Sequence, residues 1–157
     1  MDLKQLYQDI ILEHGKSPRN LGKCEGYNHE AKGYNPLCGD KVHVYLKLDN
    51  GKTVEGLTFE GEGCAISLAS ASIMTELVKG KSFTEARDIM NSFLDMVKNT
   101  SELQSKHLDD DQKTKLMSLS GVKEFPMRVK CATLSWHTLV SAMEQKKEEV
   151  NTEALDL

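Results

Sequence analysis

An alternating segment in the first third of the chain limits the folds that the chain can adopt. Apolar and more polar side chains alternate along residues 42–48, and this period of two is typical of a strand with one buried face. The turn residues Asp49-Asn50-Gly51 follow, and residues 53–60 run back. We therefore predict a β-hairpin. The second strand changes parity across Gly56, which predicts a one-residue bulge.

Helical periodicity marks four other segments. Their apolar residues recur at spacings of three and four, which is typical of a helix with one buried face. The segments are residues 3–15, 64–80, 82–97 and 126–143. Ser82 and Glu85 match a capping box at the start of the third segment. Pro126 suits the first turn of the last segment.

The remaining segments are interpreted from composition. We predict that residues 1–144 form a single domain and that the charged tail, residues 145–157, frays. Residues 19–35 show no clear periodicity, so the residues alone predict a loop there. Residues 99–120 are polar and are expected to form a long loop or a short exposed helix, to which we assign no chemistry.

Charge and composition exclude several classes of partner. The net charge of −4 and the pI near 5.7 offer no broad cationic surface, so nucleic acid is not expected as a partner. Charged and polar residues interrupt the apolar residues of the N-terminus, so neither a signal peptide nor a membrane span is predicted, and we expect a cytoplasmic protein with no membrane partner. Thiols stay reduced in the cytosol, so the four cysteines favour a metal site or a reactive thiol over disulfides.

Three of the cysteines lie in positions that suit a metal site. Cys38 and Asp40 are two residues apart in a Pro- and Gly-containing loop and can reach one ion. Cys64 lies where a glycine-rich turn meets a helix, and free backbone N–H groups there favour a thiolate. Cys131 belongs to the first turns of the last helix. Three thiolates and one carboxylate satisfy the tetrahedral, sulfur-rich preference of zinc.

Taken singly, each cysteine can also be a small hydrophobic residue with no function. Glycine beside Cys38 and Cys64 argues against simple packing, whereas the helical pattern alone leaves Cys131 undecided. Cys24 lacks a paired acid or a glycine frame, so it is left out of the site. The chain has no C-x-x-C pair, which argues against thioredoxin-type redox chemistry and a zinc ribbon. The histidines are interpreted as surface or packed residues.

Three motifs then carry a resemblance to a known family. They read Asn35-Pro-Leu-Cys-Gly-Asp40, Gly61-Glu-Gly-Cys-Ala-Ile-Ser67 and Arg128-Val-Lys-Cys-Ala-Thr-Leu134, the last followed by Trp136. Together they resemble the cysteine motifs of the SufU/IscU (NifU N-terminal-like) family. Lys130 stands where IscU-type proteins generally have His, and the stretch between Cys64 and Cys131 is longer than in IscU. Both features favour the SufU branch, with residues 99–120 as its insertion.

The resemblance implies a fold, a metal and a partner. The fold is α+β, with a small, mainly antiparallel three-stranded sheet packed against several helices and an edge strand within residues 19–35. The implied activity is that of a zinc-dependent sulfurtransferase that takes persulfide sulfur from a SufS-like cysteine desulfurase and passes it to a downstream cluster-assembly scaffold. Cys38 would be the catalytic sulfur acceptor. The implied zinc ligands are Cys38, Asp40, Cys64 and Cys131.

Two other functions remain open at this stage. The same cysteines can assemble a transient iron–sulfur cluster, as an IscU-like scaffold does. A purely structural zinc domain is the second alternative, in which the metal contributes only folding energy. Arg128 is interpreted as an exposed residue at a helix start, with electrostatic support of the sulfur-bearing group as the alternative.

Overall fold

The structure, a computed structural model, describes residues 2–50, 52–99 and 102–154. In these ranges the strands are β1 (His29–Asn35), β2 (Asp40–Asp49), β3 (Thr53–Glu62) and β4 (Val150–Asn151). The helices are α1 (Leu3–Lys16), α2 (Ala65–Val78), α3 (Phe83–Asn99), α4 (Asp110–Met117) and α5 (Pro126–Met143). Two 3₁₀ turns, Ser120–Glu124 and Thr152–Ala154, lie before α5 and after β4. The α+β class is confirmed.

The sheet has the strand order β3-β2-β1-β4. The neighbours β1–β2 and β2–β3 are antiparallel, whereas β4 runs parallel to β1 and pairs Val150 with Gly33 and Asn151 with Tyr34. Within the described residues the sheet therefore has four strands instead of the predicted three, and the additional strand is the short β4. The prediction of a fraying tail is wrong for residues 150–154, because they pair with β1 and the Thr152 side chain is fully buried. Residues 155–157 lie outside the described residues.

The predicted hairpin is formed by β2 and β3. The pairing register shifts between Lys47 and Leu48, which pair with Gly56 and Val54, so Glu55 is the extra residue of the predicted bulge. Asn50 has a positive φ of 50° in the connecting turn, as expected for a tight hairpin. Gly51 lies outside the described residues.

The helices α2 and α5 hold the core against the sheet. α5 packs on β1 and β2, and α2 packs on α5 and β3. Trp136 of α5 is fully buried, with its ring centroid 5.2 Å from that of Phe93 on α3. None of the described helices combines the length and the apolar character that a membrane-spanning helix needs.

Two segments without clear patterns nevertheless have regular structure. β1 lies within the predicted loop, and its buried face consists of Ala31, Gly33 and Asn35, which are too small or too polar to show apolar alternation. A Cβ atom on Gly33 would lie 2.1 Å from Thr138 Oγ1, so α5 approaches this strand closely.

The polar segment 99–120 is also ordered where it is described. Asp109 caps α4 with a complete capping box. Leu108 and Leu116 are buried, with exposed fractions of 6% and 0%. This segment is therefore neither a plain loop nor fully exposed. Thr100 and Ser101 lie outside the described residues.

Candidate metal centre

A tight turn between β1 and β2 presents the first two candidate ligands. Gly39 has a φ of +75°, and its N–H donates to the carbonyl of Asn35 at 2.8 Å. This turn leaves Cys38 exposed at its tip, while Asp40, the first residue of β2, is fully buried. An exposed thiol and a buried carboxylate therefore stand two residues apart.

The third candidate ligand lies at the N-terminus of α2. Cys64 is the N-cap residue, and its Sγ accepts from the N–H of Ser67 at 3.4 Å. The Cys64 N–H itself donates to Asp40 Oδ1 at 2.9 Å. A Cβ atom on the preceding Gly63 would lie 2.3 Å from Asp40 Oδ1, so only glycine leaves room for the carboxylate. The glycine-rich turn is thus required for the contact between Cys64 and Asp40.

The fourth candidate ligand comes from the second turn of α5. Cys131 is buried, and its Sγ lies 3.3 Å from that of Cys38. The candidate ligand atoms of Cys38, Asp40 and Cys131 all lie within 4.8 Å of one another. Cys64 adjoins this group, with its Sγ 3.9 Å from Asp40 Oδ2. The four residues chosen from the sequence therefore meet in space.

The residues excluded from the site lie elsewhere. Cys24 contacts the carbonyl of Glu25 at 3.7 Å, and its sulfur lies near Gly56. Among the described residues, no histidine joins the group of possible metal ligands. All four cysteines are free thiols.

Hydrogen bonding polarises the thiols. The hydrogen bond from Cys131 lowers the pKa of Cys64 to about 6, although burial opposes the shift. The pKa of Cys131 is raised, chiefly by that same hydrogen bond to Cys64 and next by burial. Of the two thiols, Cys64 therefore loses its proton more readily, and Cys131 keeps its own. A cation that binds both sulfur atoms would displace the remaining proton, because thiolate ligation releases protons.

The chemistry of the donors fits zinc. Asp40 is fully buried, and its described partners are the N–H and thiol of Cys64 and the thiol of Cys131, none of which is a cation. A buried carboxylate without a positive partner is unfavourable. A zinc ion would compensate that charge, and zinc prefers sulfur ligands in a tetrahedral set.

The site opens on an apolar groove. The groove has a volume of about 640 Å³ and is lined by Cys38, Cys64, Ala65, Ile66, Phe125, Pro126, Met127, Arg128 and Cys131. Two large apolar residues of this lining, Phe125 and Met127, are 53% and 52% exposed, and Leu37, next to Cys38 in sequence, is 51% exposed. The Arg128 guanidinium lies over the Phe125 ring, 5.2 Å from its centroid. Access to the thiols is thus from the side bordered by the start of α5.

One residue of the site was missed from the sequence. Asn35 is fully buried behind the cluster, and its Nδ2 lies 3.6 Å from the Sγ of Cys131. Asn35 opens the first cysteine motif, and this position is the only signal that the sequence offers. Its amide carries no charge, so it did not stand out as a ligand.

Comparisons with known proteins identify the family to which the chain belongs. Residues 6–132 match the NifU-like N-terminal domain family. The zinc-dependent sulfurtransferase SufU of Bacillus subtilis (strain 168) is 41% identical over 147 residues, which cover 93% of this chain and 95% of that protein. The iron–sulfur cluster assembly scaffold protein IscU of Streptococcus pyogenes serotype M1 is 36% identical over 143 residues, or 91% of this chain and 86% of that protein.

Solved structures show the same architecture. The crystal structure of FiSufU from Fervidobacterium islandicum AW-1 superposes with a TM-score of 0.76 at 34% identity and covers 88% of this chain and 97% of that chain. A NifU-like protein (N-terminal) from Brucella abortus has a TM-score of 0.78 at 23% identity, covering 92% and 98%, and supports the fold alone.

Proposed function

Because the chain belongs to the NifU-like N-terminal domain family and, within it, to the SufU/IscU proteins, we propose that it is a zinc-dependent sulfur acceptor in iron–sulfur cluster assembly. One observation carries the proposal. Cys38, Asp40 and Cys131 present ligand atoms within 4.8 Å of one another, Cys64 adjoins them, and Cys38 is exposed at the edge of the group. Such a site both binds a metal and offers a thiol to a partner.

Cys38, Asp40, Cys64 and Cys131 would hold the zinc. When bound, zinc would keep these thiols deprotonated at neutral pH without redox chemistry of its own. The four residues differ in how tightly their surroundings hold them. Asp40 and Cys131 are buried, and Cys64 caps a helix. Cys38, in contrast, lies on an exposed turn. Cys38 is therefore the acceptor, and the other residues stay in place.

The transfer step is thiolate exchange. The Cys38 thiolate attacks the outer sulfur of a persulfide on a SufS-like cysteine desulfurase, and a new S–S bond forms at Cys38. The S–S bond of the donor breaks, and the donor cysteine leaves as a thiolate. No net oxidation occurs, and the sulfur then passes to a downstream cluster-assembly scaffold.

The groove supports a protein as the sulfur donor. Leu37, Phe125 and Met127 are large, exposed and apolar around the acceptor thiol. Apolar patches of this kind beside a reactive group are typical of surfaces that dock a partner. A partner that covers them would also exclude water from the exchanging sulfur atoms.

An IscU-like scaffold is the second candidate function. A relative 36% identical to this chain bears that name, and three thiolates with a carboxylate can also ligate a transient iron–sulfur cluster. The position before Cys131 argues against it: IscU-type proteins generally have His there, whereas this chain has Lys130, whose ammonium pairs with Glu153 at 2.6 Å.

Single-turnover transfer tests the proposal. The aerobically purified protein, expected to hold about one zinc per chain and no iron, is mixed with a sulfur-loaded desulfurase. Mass spectrometry of cysteine peptides should then find the persulfide on Cys38. Cys38→Ser should abolish transfer and desulfurase stimulation, whereas Cys24→Ser should retain both.

Three results would overturn the proposal. One is full transfer by the Cys38→Ser protein. Another is a persulfide found reproducibly on Cys64 or Cys131 and never on Cys38. The third is a well-folded protein that is isolated without metal and cannot take up zinc.

A further inference from the structure

The orientation of the Asn35 side chain is fixed by two partners. Its Oδ1 accepts from the N–H of Leu37 at 3.3 Å and from the Thr152 hydroxyl at 3.1 Å. A backbone N–H can only donate, so the oxygen must face Leu37. The amide nitrogen is thereby turned toward Cys131 Sγ, 3.6 Å away.

Thr152 is held by its own surroundings. It directly follows β4, whose residues Val150 and Asn151 pair with β1. Asn151 Oδ1 accepts from the N–H of Glu153 at 2.9 Å, and Glu153 pairs with Lys130, the residue before Cys131. Both Asn35 and Thr152 are fully buried. Thr152 is 117 residues away from Asn35 in sequence. Its segment nevertheless contacts the surroundings of the cluster twice, through Thr152 with Asn35 and through Glu153 with Lys130.

We propose that Asn35 is a positioning residue for the Cys131 thiolate and that residues 150–154 hold Asn35 in place through the Thr152 hydroxyl. The inference rests on the proposed metal site. Hydrogen bonds from outer residues orient metal ligands and tune their basicity. A neutral amide N–H stabilises thiolate charge without adding a cation that would compete with the metal. Cys131 therefore remains a fixed ligand while Cys38 exchanges.

Thr152→Val tests the link, since valine keeps the shape and removes only the hydroxyl. We expect zinc transfer to a chelator to be about 3- to 10-fold faster. In the metal-free protein, alkylation of Cys131 relative to Cys24 should rise by a similar factor, because the barrier to opening the segment falls. Thr152→Ser restores the hydroxyl and should restore both rates.

Thr138→Val is the matched control. Thr138 is also fully buried, and its hydroxyl donates to the carbonyl of Leu134 within α5 at 2.7 Å. The substitution makes the same chemical change as Thr152→Val, but at a hydroxyl that bonds to Leu134 and not to Asn35. Both rates should stay within about twofold of those of the unchanged protein.

Asn35→Asp tests the amide itself. Aspartate keeps the acceptor oxygen for Leu37 and Thr152 but replaces the donor N–H by an anionic oxygen facing Cys131. Metal affinity should fall by about 10- to 100-fold, and the thiolate-to-metal bands of the cobalt(II)-substituted protein should shift. A residue that merely stabilises the fold would lower the melting temperature and leave those bands unchanged.

The outcomes separate this inference from the proposed function. Unchanged zinc release and Cys131 labelling in Thr152→Val, or changes no larger than in Thr138→Val, would overturn it. An unchanged cobalt spectrum in Asn35→Asp would also do so. If the protein does not bind metal, the proposed function fails, and labelling of Cys131 in the metal-free protein still decides whether Thr152 holds Asn35. If the unchanged protein binds zinc but does not accept sulfur, the proposed function fails, and zinc release from Thr152→Val still decides the inference.

Discussion

At the scale of single residues, the absence of a side chain at Gly63 leaves space for the Asp40 carboxylate. A Cβ atom there would lie 2.3 Å from Asp40 Oδ1 and 2.9 Å from its Cγ. Gly63→Ala is therefore expected to push the carboxylate away from the Cys64 N–H and to accelerate zinc release about tenfold or more. The rate of zinc transfer to a chelator measures this effect.

Gly121→Ala provides the control for this substitution. Nothing lies within 4 Å of a Cβ atom at Gly121, so zinc release should be unchanged. Equal acceleration in both variants would contradict the steric argument.

Asp40 and Cys24 offer a second test at this scale. Asp40→Ala removes the buried carboxylate proposed as an oxygen ligand. The substitution should weaken zinc retention by more than the factor of about 10 to 100 that is typical of residues outside the ligand set. Cys24→Ser should leave retention unchanged, because Cys24 lies beside Glu25 and Gly56, away from the cluster. Zinc content after dialysis against a chelator measures both. Equal losses would mean that the ligand set is wrong.

The sequence predicted the residues with distinctive chemistry and missed those without it. Cys38, Asp40 and Cys64 stand in glycine-containing turns whose shape suits ligation. Asn35 and Thr152 are neutral, and 117 residues separate them. Only the folded chain brings them together, so no local pattern signals their contact.

At the scale of elements, one serine joins the two helices that carry Cys64 and Cys131. Ser70 of α2 donates to the carbonyl of Ala132 on α5 at 2.5 Å and accepts from Trp136 Nε1 at 3.2 Å. Ser70→Ala leaves the buried indole N–H without a partner. The free energy of unfolding should fall by about 1–3 kcal/mol, measured by urea denaturation.

Ser141→Ala is the contrasting variant. Ser141 is also buried, but its hydroxyl has no hydrogen-bond partner within the described ranges. Its removal should leave stability unchanged or slightly increased. A similar loss in both variants would show that packing, and not the bond to Trp136, determines the effect.

Elements with strong local signals were predicted, and those that depend on distant partners were not. The β2–β3 hairpin, its bulge and the cap formed by Ser82 and Glu85 all follow from neighbouring residues. β1 was missed from the residues alone because its buried face is Ala31, Gly33 and Asn35. β4 has two residues and forms only because β1 offers it an edge.

At the scale of the whole molecule, a half-buried histidine makes stability depend on pH. Burial, and next the charge of Lys98, lowers the pKa of His137 to about 4. The unfolded chain, with a pKa of about 6.5, then binds more protons than the folded chain. The contribution is complete above pH 6.5 and is lost as the pH falls toward 4.

His137→Gln should remove this contribution. Relative to pH 7.5, the unchanged protein should lose about 1–2 kcal/mol more than the variant by pH 5. His14, whose pKa burial also lowers, contributes to both proteins and cancels in the difference. Urea denaturation across this range measures the two curves, and parallel curves would contradict the prediction.

The long separation in sequence between the proposed ligands also predicts an order of events during folding. Cys38 and Cys131 are 93 residues apart, and contacts of such range form late, because the entropy of closing the loop opposes them. During synthesis the ribosome releases Cys38, Asp40 and Cys64 well before Cys131. We therefore expect zinc capture to mark the end of folding. A chain in which α5 has not docked would offer an incomplete ligand set and would not yet accept sulfur.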